Sequence, residues 1–213
     1  MEYSISGNDD SHIEIEGTLD VENNFESYLL LDISVDVLSS GSLICSFPGI
    51  KLVNTITVLG AITIDGFLDF DSSSTFILNG GTVEAHNFFI SEFSSISGIG
   101  YINSTVFNYG TIEPSSEIEI QNDLILYPSS KLMFSNKESN SQFLRVKGTI
   151  IFNGSLSIDF FNHHLNLNDS FTLFYFEKGN AEFSSISINC ESLLKLLKLK
   201  ALFLLLLSQN FQN

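Results

Sequence analysis

The sequence predicts an all-β chain folded as a parallel β-helix, a solenoid of short stacked strands. Three observations predict it. First, a glycine, a small residue and then alternating apolar positions recur as Gly17-Thr18-Leu19-Asp20-Val21, Gly41-Ser42-Leu43-Ile44-Cys45, Gly60-Ala61-Ile62-Thr63-Ile64 and Gly81-Thr82-Val83-Glu84-Ala85, with the glycines 24, 19 and 21 residues apart. Self-similarity near 20 residues marks repeats that each bury a face on the next. Second, the apolar residues alternate strictly with polar ones over three to five positions, the pattern of a half-buried strand. Third, hairpin signals are few: Asn79-Gly80 is the clear exception, and it serves a solenoid corner equally well. Short even strands with polar corners also suit a sandwich or barrel. The return of the same residue types at matching points favours the solenoid.

Each element follows in order along the chain. Residues 1–9 are polar and carry no strand pattern, so they are expected to be disordered or to form an N-terminal cap. From His12-Ile13-Glu14-Ile15-Glu16 the alternation begins, with Ile13 and Ile15 on one side. It continues through the pairs Ile62/Ile64, Leu68/Phe70, Phe76/Leu78, Val83/Ala85, Phe88/Ile90, Ile118/Ile120, Leu124/Leu126, Leu132/Phe134, Leu144/Val146, Ile150/Phe152 and Leu156/Ile158. Ser-, Gly- and Asn-rich corners separate these strands, among them Ser72-Ser73-Ser74, Asn79-Gly80-Gly81, Ser94 to Gly98 and Asn136 to Ser141. The solenoid is expected over residues 10–188, with Ser, Asn, Thr, Asp and Glu lining its outside. Residues 189–213 differ: Glu191 to Leu207 is rich in Leu and Lys and helix-prone. It reads as a capping helix, as a gene-model artefact or as a membrane-surface helix over residues 193–207. Its unbroken apolar run, Ala201 to Leu207, falls far short of the roughly 20 residues that span a bilayer.

Composition bounds the function. Nine Lys and Arg stand against 25 Asp and Glu, a formal charge of −16. Nucleic acid and anionic lipid both need cations to displace their counterions, so a nucleic-acid partner is excluded. The acids keep a β-rich protein soluble; no EF-hand loop or nonapeptide calcium repeat gathers them. Of the two cysteines, Cys45 reads as a small buried hydrophobe, and Cys190 lies where the repeat ends. The N-terminus lacks the basic start and apolar run of a signal peptide. Read literally the chain stays in the cytosol. Yet Asn103, Asn153 and Asn168 each open an Asn-x-Ser/Thr acceptor, which suits an extracellular or cell-surface glycoprotein. A piece of a longer chain with its export signal upstream reconciles the two.

The block Gly98-Ile99-Gly100-Tyr101-Ile102-Asn103-Ser104-Thr105-Val106-Phe107-Asn108-Tyr109-Gly110-Thr111-Ile112-Glu113-Pro114 resembles the repeats of right-handed parallel β-helices in bacterial autotransporter passengers and haemagglutinin-type surface adhesins. The resemblance runs over about residues 60–176. It implies an exported stalk or adhesin and implies no activity. In physical terms, Asn108 ahead of Gly110 is expected to turn a left-handed corner, Thr111 and Ile112 to restart a strand, and Pro114 to end its pairing. Gly60, Gly81 and Gly148 are expected to serve turns of the same kind.

Parallel β-helices also include pectin-degrading enzymes, so pectate-lyase-like chemistry is the alternative. Hydrolases of that kind need closely set carboxylates. Asp65, Asp69 and Asp71 are the one tight trio, with Asp69 and Asp71 on one side of their strand. A lyase needs a basic residue; Arg145, the only arginine, lies beside Lys147 on one polar face. His163-His164 is the only histidine cluster, and neighbours on a strand face opposite ways, which makes a poor metal site. No phosphate loop, dinucleotide fingerprint or nucleophile elbow is present, and no catalytic residue, metal or cofactor is expected. The reading is a structural or adhesive solenoid that presents a long polar face to glycans or surface proteins.

Overall fold

Alternation puts every second side chain of a strand on the same side. In the computed structural model, which describes residues 3–6, 12–22, 28–71, 73–135, 142–160, 172–180 and 182–189, that side is the interior of a stack of parallel strands. The first coil holds β1 (Tyr3–Ser6), β2 (His12–Ile15) and β3 (Thr18–Glu22). The second holds β4 (Leu29–Asp32), β5 (Ser34–Val37) and β6 (Ser42–Ser46), and the third β7 (Gly49–Leu52), β8 (Thr55–Val58) and β9 (Ala61–Ile64). After β10 (Phe67–Phe70), three long strands bend round corners: β11 (Thr75–Ile90), β12 (Ser95–Asn108) and β13 (Thr111–Ile120). Then come β14 (Leu124–Leu126), β15 (Lys131–Ser135), β16 (Phe143–Ile151), β17 (Ser155–Asp159), β18 (Phe174–Asn180) and β19 (Ser185–Asn189).

The pairings sort these strands into three faces. β1, β4, β7, β10 and the end of β11 stack as the first face, β2, β5, β8 and the start of β11 as the second, and β3, β6, β9 and the middle of β11 as the third. Every pair is parallel. The expected parallel β-solenoid is therefore the fold. It starts further upstream than residue 10, because Tyr3–Ser6 is a strand in register with Leu29–Asp32. The polar residues that surround Ile5 hid it. The Leu/Lys-rich segment from Cys190 onward lies outside the described residues, as do His163, His164 and Asn168.

Register keeps like beside like. On the second face Ile13, Val35, Ile56, Phe76, Ile96, Ile112, Leu132, Leu156 and Ile186 form one inward ladder. On the third, Leu43, Ile62, Val83, Ile102, Ile120, Val146 and Phe176 form another. Phe70, Phe76 and Phe88 meet at the centre with ring centroids 5.0 to 5.6 Å apart, two of the three contacts edge-to-face. A single core thus runs along the axis.

Asn108 corrects the sequence expectation. It sits inside, fully buried, on the ladder between Ile90 and Leu126. Its backbone is not left-handed: among described non-glycine residues only Ser73 has positive φ. Instead its Oδ1 accepts a hydrogen bond from the Gly110 N–H at 3.0 Å, which turns the corner from the side chain. Its Nδ2 has no partner. Pro114 is a second correction, since it does not end pairing. It stacks in register on Gly98, and β13 runs on to Ile120.

The glycines act chiefly through close approach. Gly17, Gly41, Gly60 and Gly81 all lie between the second and third faces, and the residues after them stack as Thr18, Ser42, Ala61 and Thr82. A Cβ on Gly60 would lie 2.1 Å from the Gly41 carbonyl oxygen. Gly110 sits at a different corner, between first and second faces, where a Cβ would lie 2.2 Å from Ser91 O. Gly81 and Gly148 are hemmed in likewise, by Val58 O and Asp123 Oδ1. The left-handed conformation expected of these turns falls on Gly80, Gly98 and Gly154.

Gly17 and Gly60 make a matched pair, because a Cβ on Gly17 would meet nothing within 4 Å. Gly17→Ala is expected to leave urea stability unchanged or raise it by up to about 1 kcal/mol, through the less free unfolded chain. Gly60→Ala is expected to lower it by roughly 1–3 kcal/mol, as overpacking does. Urea melts of the two variants check this; equal effects would contradict the close-approach account.

Candidate functional site

The outward positions of a solenoid form rows as regular as its core ladders, with rungs about 4.8 Å apart. On the second face one outer row reads Thr55, Thr75, Ser95, Thr111, Lys131, Ser155 and Ser185. Beside it run Thr57, Ile77, Ser97 and Glu113, then Met133, Ser157 and Ser187. Hydroxyls dominate both rows, as expected of a polar wall. The first face departs from that expectation. Its outer row reads Lys51, Asp69, Phe89, Phe107, Ile125 and Ile151. The Phe89 and Phe107 rings stack 4.9 Å apart, 17° from parallel. Each ring shields its neighbour, so a register-matched aromatic pair tolerates an outer position. Tyr109 and Tyr127 stack in the same way at 3.8 Å along the adjoining corner.

A groove of about 650 Å³ opens where the second face meets the third. Its cause is a difference in corner length. Leu78 to Val83 of β11 turns through Asn79-Gly80-Gly81, and β13 turns through Ser115-Ser116-Glu117. Between them β12 needs only Ile99 between Gly98 and Gly100, so register shifts flank it on both sides. The short corner is recessed between two wide ones. Gly98 makes the recess feasible: its φ is +107°, and a Cβ there would lie 1.8 Å from Leu78 O. Ile77, Ile99 and Pro114 give the groove apolar surface, and Asn79, Ser97, Glu113, Ser115, Ser135 and Gln142 give it polar groups. Ser135 Oγ donates to Glu113 Oε1 at 2.9 Å, and Gln142 Oε1 is buried without a partner.

The third face carries the main ionic cluster. Arg145 and Lys147 do share one side of β16, as expected, but each is engaged by the coil beneath. Arg145 Nε lies 2.6 Å from Glu117 Oε1 and 3.8 Å from Glu119 Oε2, and Lys147 Nζ lies 2.7 Å from Glu119 Oε1. The Arg145 guanidinium also lies 4.7 Å from the Tyr175 ring centroid. Burial pulls the Glu119 pKa up, but hydrogen bonds from Lys147, Gln121 and Tyr101 outweigh it, and the carboxyl ends below its ordinary value.

Asp65, Asp69 and Asp71 do not gather with carboxylates of adjacent coils. Asp65 sits at a corner, its N–H donating to Cys45 O, while Asp69 lies in the row between Lys51 and Phe89. Burial holds Asp69 above the ordinary carboxylate value, with Lys51 opposing and Asp71 adding to the rise. Of the acceptor asparagines, Asn103 faces outward and is exposed, its Nδ2 donating to Glu84 Oε1 at 3.3 Å. Asn153 Oδ1 accepts from the Gly154 N–H at 2.8 Å and from Ser184 Oγ at 2.9 Å. Among the described residues no group of three or more His, Cys, Asp or Glu gathers to hold a metal, and no helix is long and apolar enough to cross a membrane. Sequence reasoning missed the groove, because it arises from unequal corners on successive coils. The signal was there in Gly98-Ile99-Gly100, where one corner is shorter than the next.

No protein-family model matches the chain, and neither a curated protein nor a solved structure matches it. The parallel β-solenoid is consistent with a β-helix, and no match supports the resemblance to autotransporter passengers or adhesins.

Glu119 and Cys45 yield measurable consequences. A carboxyl lowered by folding contributes stability that is complete above its unfolded value and is lost as pH falls through its folded value. Glu119→Gln is therefore expected to flatten the acid limb of the stability profile between about pH 3 and 6, read by urea melts. An unchanged acid limb would contradict the assigned role. Cys45 is fully buried on the third-face ladder, and burial, followed by Asp20 and Asp65, pushes its thiol up to about 12. In a Cys190→Ser background, an aromatic disulfide reagent at about pH 8 is expected to leave the folded chain unlabelled and to titrate one thiol after unfolding. Rapid labelling of the folded chain would place Cys45 outside the core.

Proposed function

We propose that this chain is a non-enzymatic structural and adhesive solenoid of a secreted or cell-surface protein, and that it engages glycans through its second face. The observation that carries the reading is the pair of outer rows rich in Ser and Thr, repeated from Thr55 to Ser187 at one spacing. Hydroxyls on a flat rigid support make many weak, similar hydrogen bonds to a polymer that is itself a string of hydroxyls. Each contact is worth little alone, and affinity comes from repetition. The pairing of Arg145 and Lys147 with Glu117 and Glu119 supports the non-enzymatic part, since these cations are engaged in joining coils. The exposed acceptor Asn103 supports an extracellular setting.

The test is co-sedimentation of the purified chain with insoluble polysaccharides, run beside an assay for unsaturated and reducing products from pectin and other acidic glycans. The expected outcome is retention on a neutral polysaccharide with no products. Retention is expected to fall at least tenfold when Thr57 and Thr75, on the second face, are both replaced by Glu, because two hydroxyl contacts give way to larger, strongly hydrated carboxylates that hold the polymer off the wall. Release of products from an acidic glycan would overturn the reading in favour of a pectate-lyase-like enzyme.

A further inference from the structure

The recessed corner at Gly98 is a more specific feature than the wall beside it. We infer that this groove is a subsite for a short stretch of neutral oligosaccharide, a reading that rests on glycan engagement by the second face and deepens it. Its volume of about 650 Å³ falls within the roughly 300–1,000 Å³ of ligand sites, room for a few sugar rings. Its chemistry divides as a pyranose divides. Ile77 and Ile99 offer apolar surface for the C–H side of a ring, and Asn79, Ser97, Ser115 and Gln142 offer amides and hydroxyls for its edge. Ile99 is 39% exposed beside the groove.

Polarity sets the class of sugar. Glu113 is an acceptor, and the Ser135 hydroxyl that adjoins it is already donating to that carboxylate. The Gln142 side chain borders the groove, its Oε1 buried without a donor. Glu113 can accept from a hydroxyl of a neutral sugar, whereas a uronate brings a second carboxylate beside it. Among the described residues no Lys or Arg lines it, and the chain carries 25 acidic against nine basic residues. A galacturonate carboxylate would enter beside Glu113 with nothing to neutralise it.

The full chain is titrated with cellotetraose, maltotetraose, mannotetraose, chitotetraose and tetragalacturonate, with binding read by saturation-transfer NMR and calorimetry. At least one neutral probe is expected to bind and tetragalacturonate to fail. Ser97→Trp, which fills the groove from an outward position, is expected to weaken that binding at least tenfold, whereas Thr18→Trp, exposed on the third face at β3, leaves it within twofold. Glu113→Gln keeps the shape and is expected to narrow the gap between neutral and acidic probes; it serves as the second variant if Ser97→Trp melts early. Neutral binding indifferent to Ser97→Trp in a folded chain would overturn the groove while leaving the wall as the glycan contact. Retention on polysaccharide with no tetrasaccharide bound overturns the groove alone, and loss of both overturns the glycan reading with it. Tetragalacturonate binding as tightly as a neutral probe would overturn the class.

Discussion

Register between successive coils is the constraint on which the structure rests. Each strand's backbone groups pair with the strand one coil away, so a coil that returned one residue early would turn its whole apolar row outward. Parallel ladders across three faces leave no freedom to correct such a slip locally. The chain meets the constraint with corners that absorb the difference in coil length. Twenty residues separate Phe76 from Ile96, and only sixteen separate Ile96 from Ile112, yet both pairs are in register. Variation falls at corners, and the inward ladder from Ile13 to Ile186 on the second face is continuous through it.

Two consequences follow from corners that vary over faces that do not. Corners approach the coil below so closely that some admit no Cβ, which is why Gly60 and Gly110 are glycine without a left-handed backbone. Unequal corners also sculpt the outside. The groove at Gly98 exists because β12 turns in fewer residues than β11 and β13. Fold and candidate site thus share one cause. The buried serines tell the same story: Ser74 Oγ donates to Leu52 O at 2.7 Å, so a polar side chain in a corner satisfies the carbonyl of the coil beneath. Asn108 and Ser130 are exceptions: one end of the Asn108 amide is used at the turn and the other left bare within the core, and the buried Ser130 Oγ has no partner.

The fold was legible because both of its periods are written in the residues. Period two came from alternation, as in His12 to Glu16, and the longer period from glycines at positions 17, 41, 60 and 81, which do share one corner. The later glycines were harder. Gly110, Gly148 and Gly154 carry the same local phrase, but they occupy other corners, because a tight bend needs the same residues wherever it falls. Asn108 was misread because Asn-x-Gly signals a turn without saying which atom makes it; here the side chain does so from inside the core. The stacking of Phe89 on Phe107 was hidden, since nothing local shows that two outward rings 18 positions apart will meet. The pairings of Arg145 with Glu117 and of Lys147 with Glu119 each span 28 positions and were equally hidden. What was missed in each case is a contact between coils, visible only once the register is known.

Inter-strand proton contacts in solution test the stacking most directly. Along Phe76, Ile96 and Ile112, nuclear Overhauser effects should show the amide-to-Hα pattern of parallel neighbours, with Phe76 facing Ile96 and Ile96 facing Ile112. Strong Hα-to-Hα contacts, the mark of antiparallel pairs, or any ladder shifted by one residue would contradict the account.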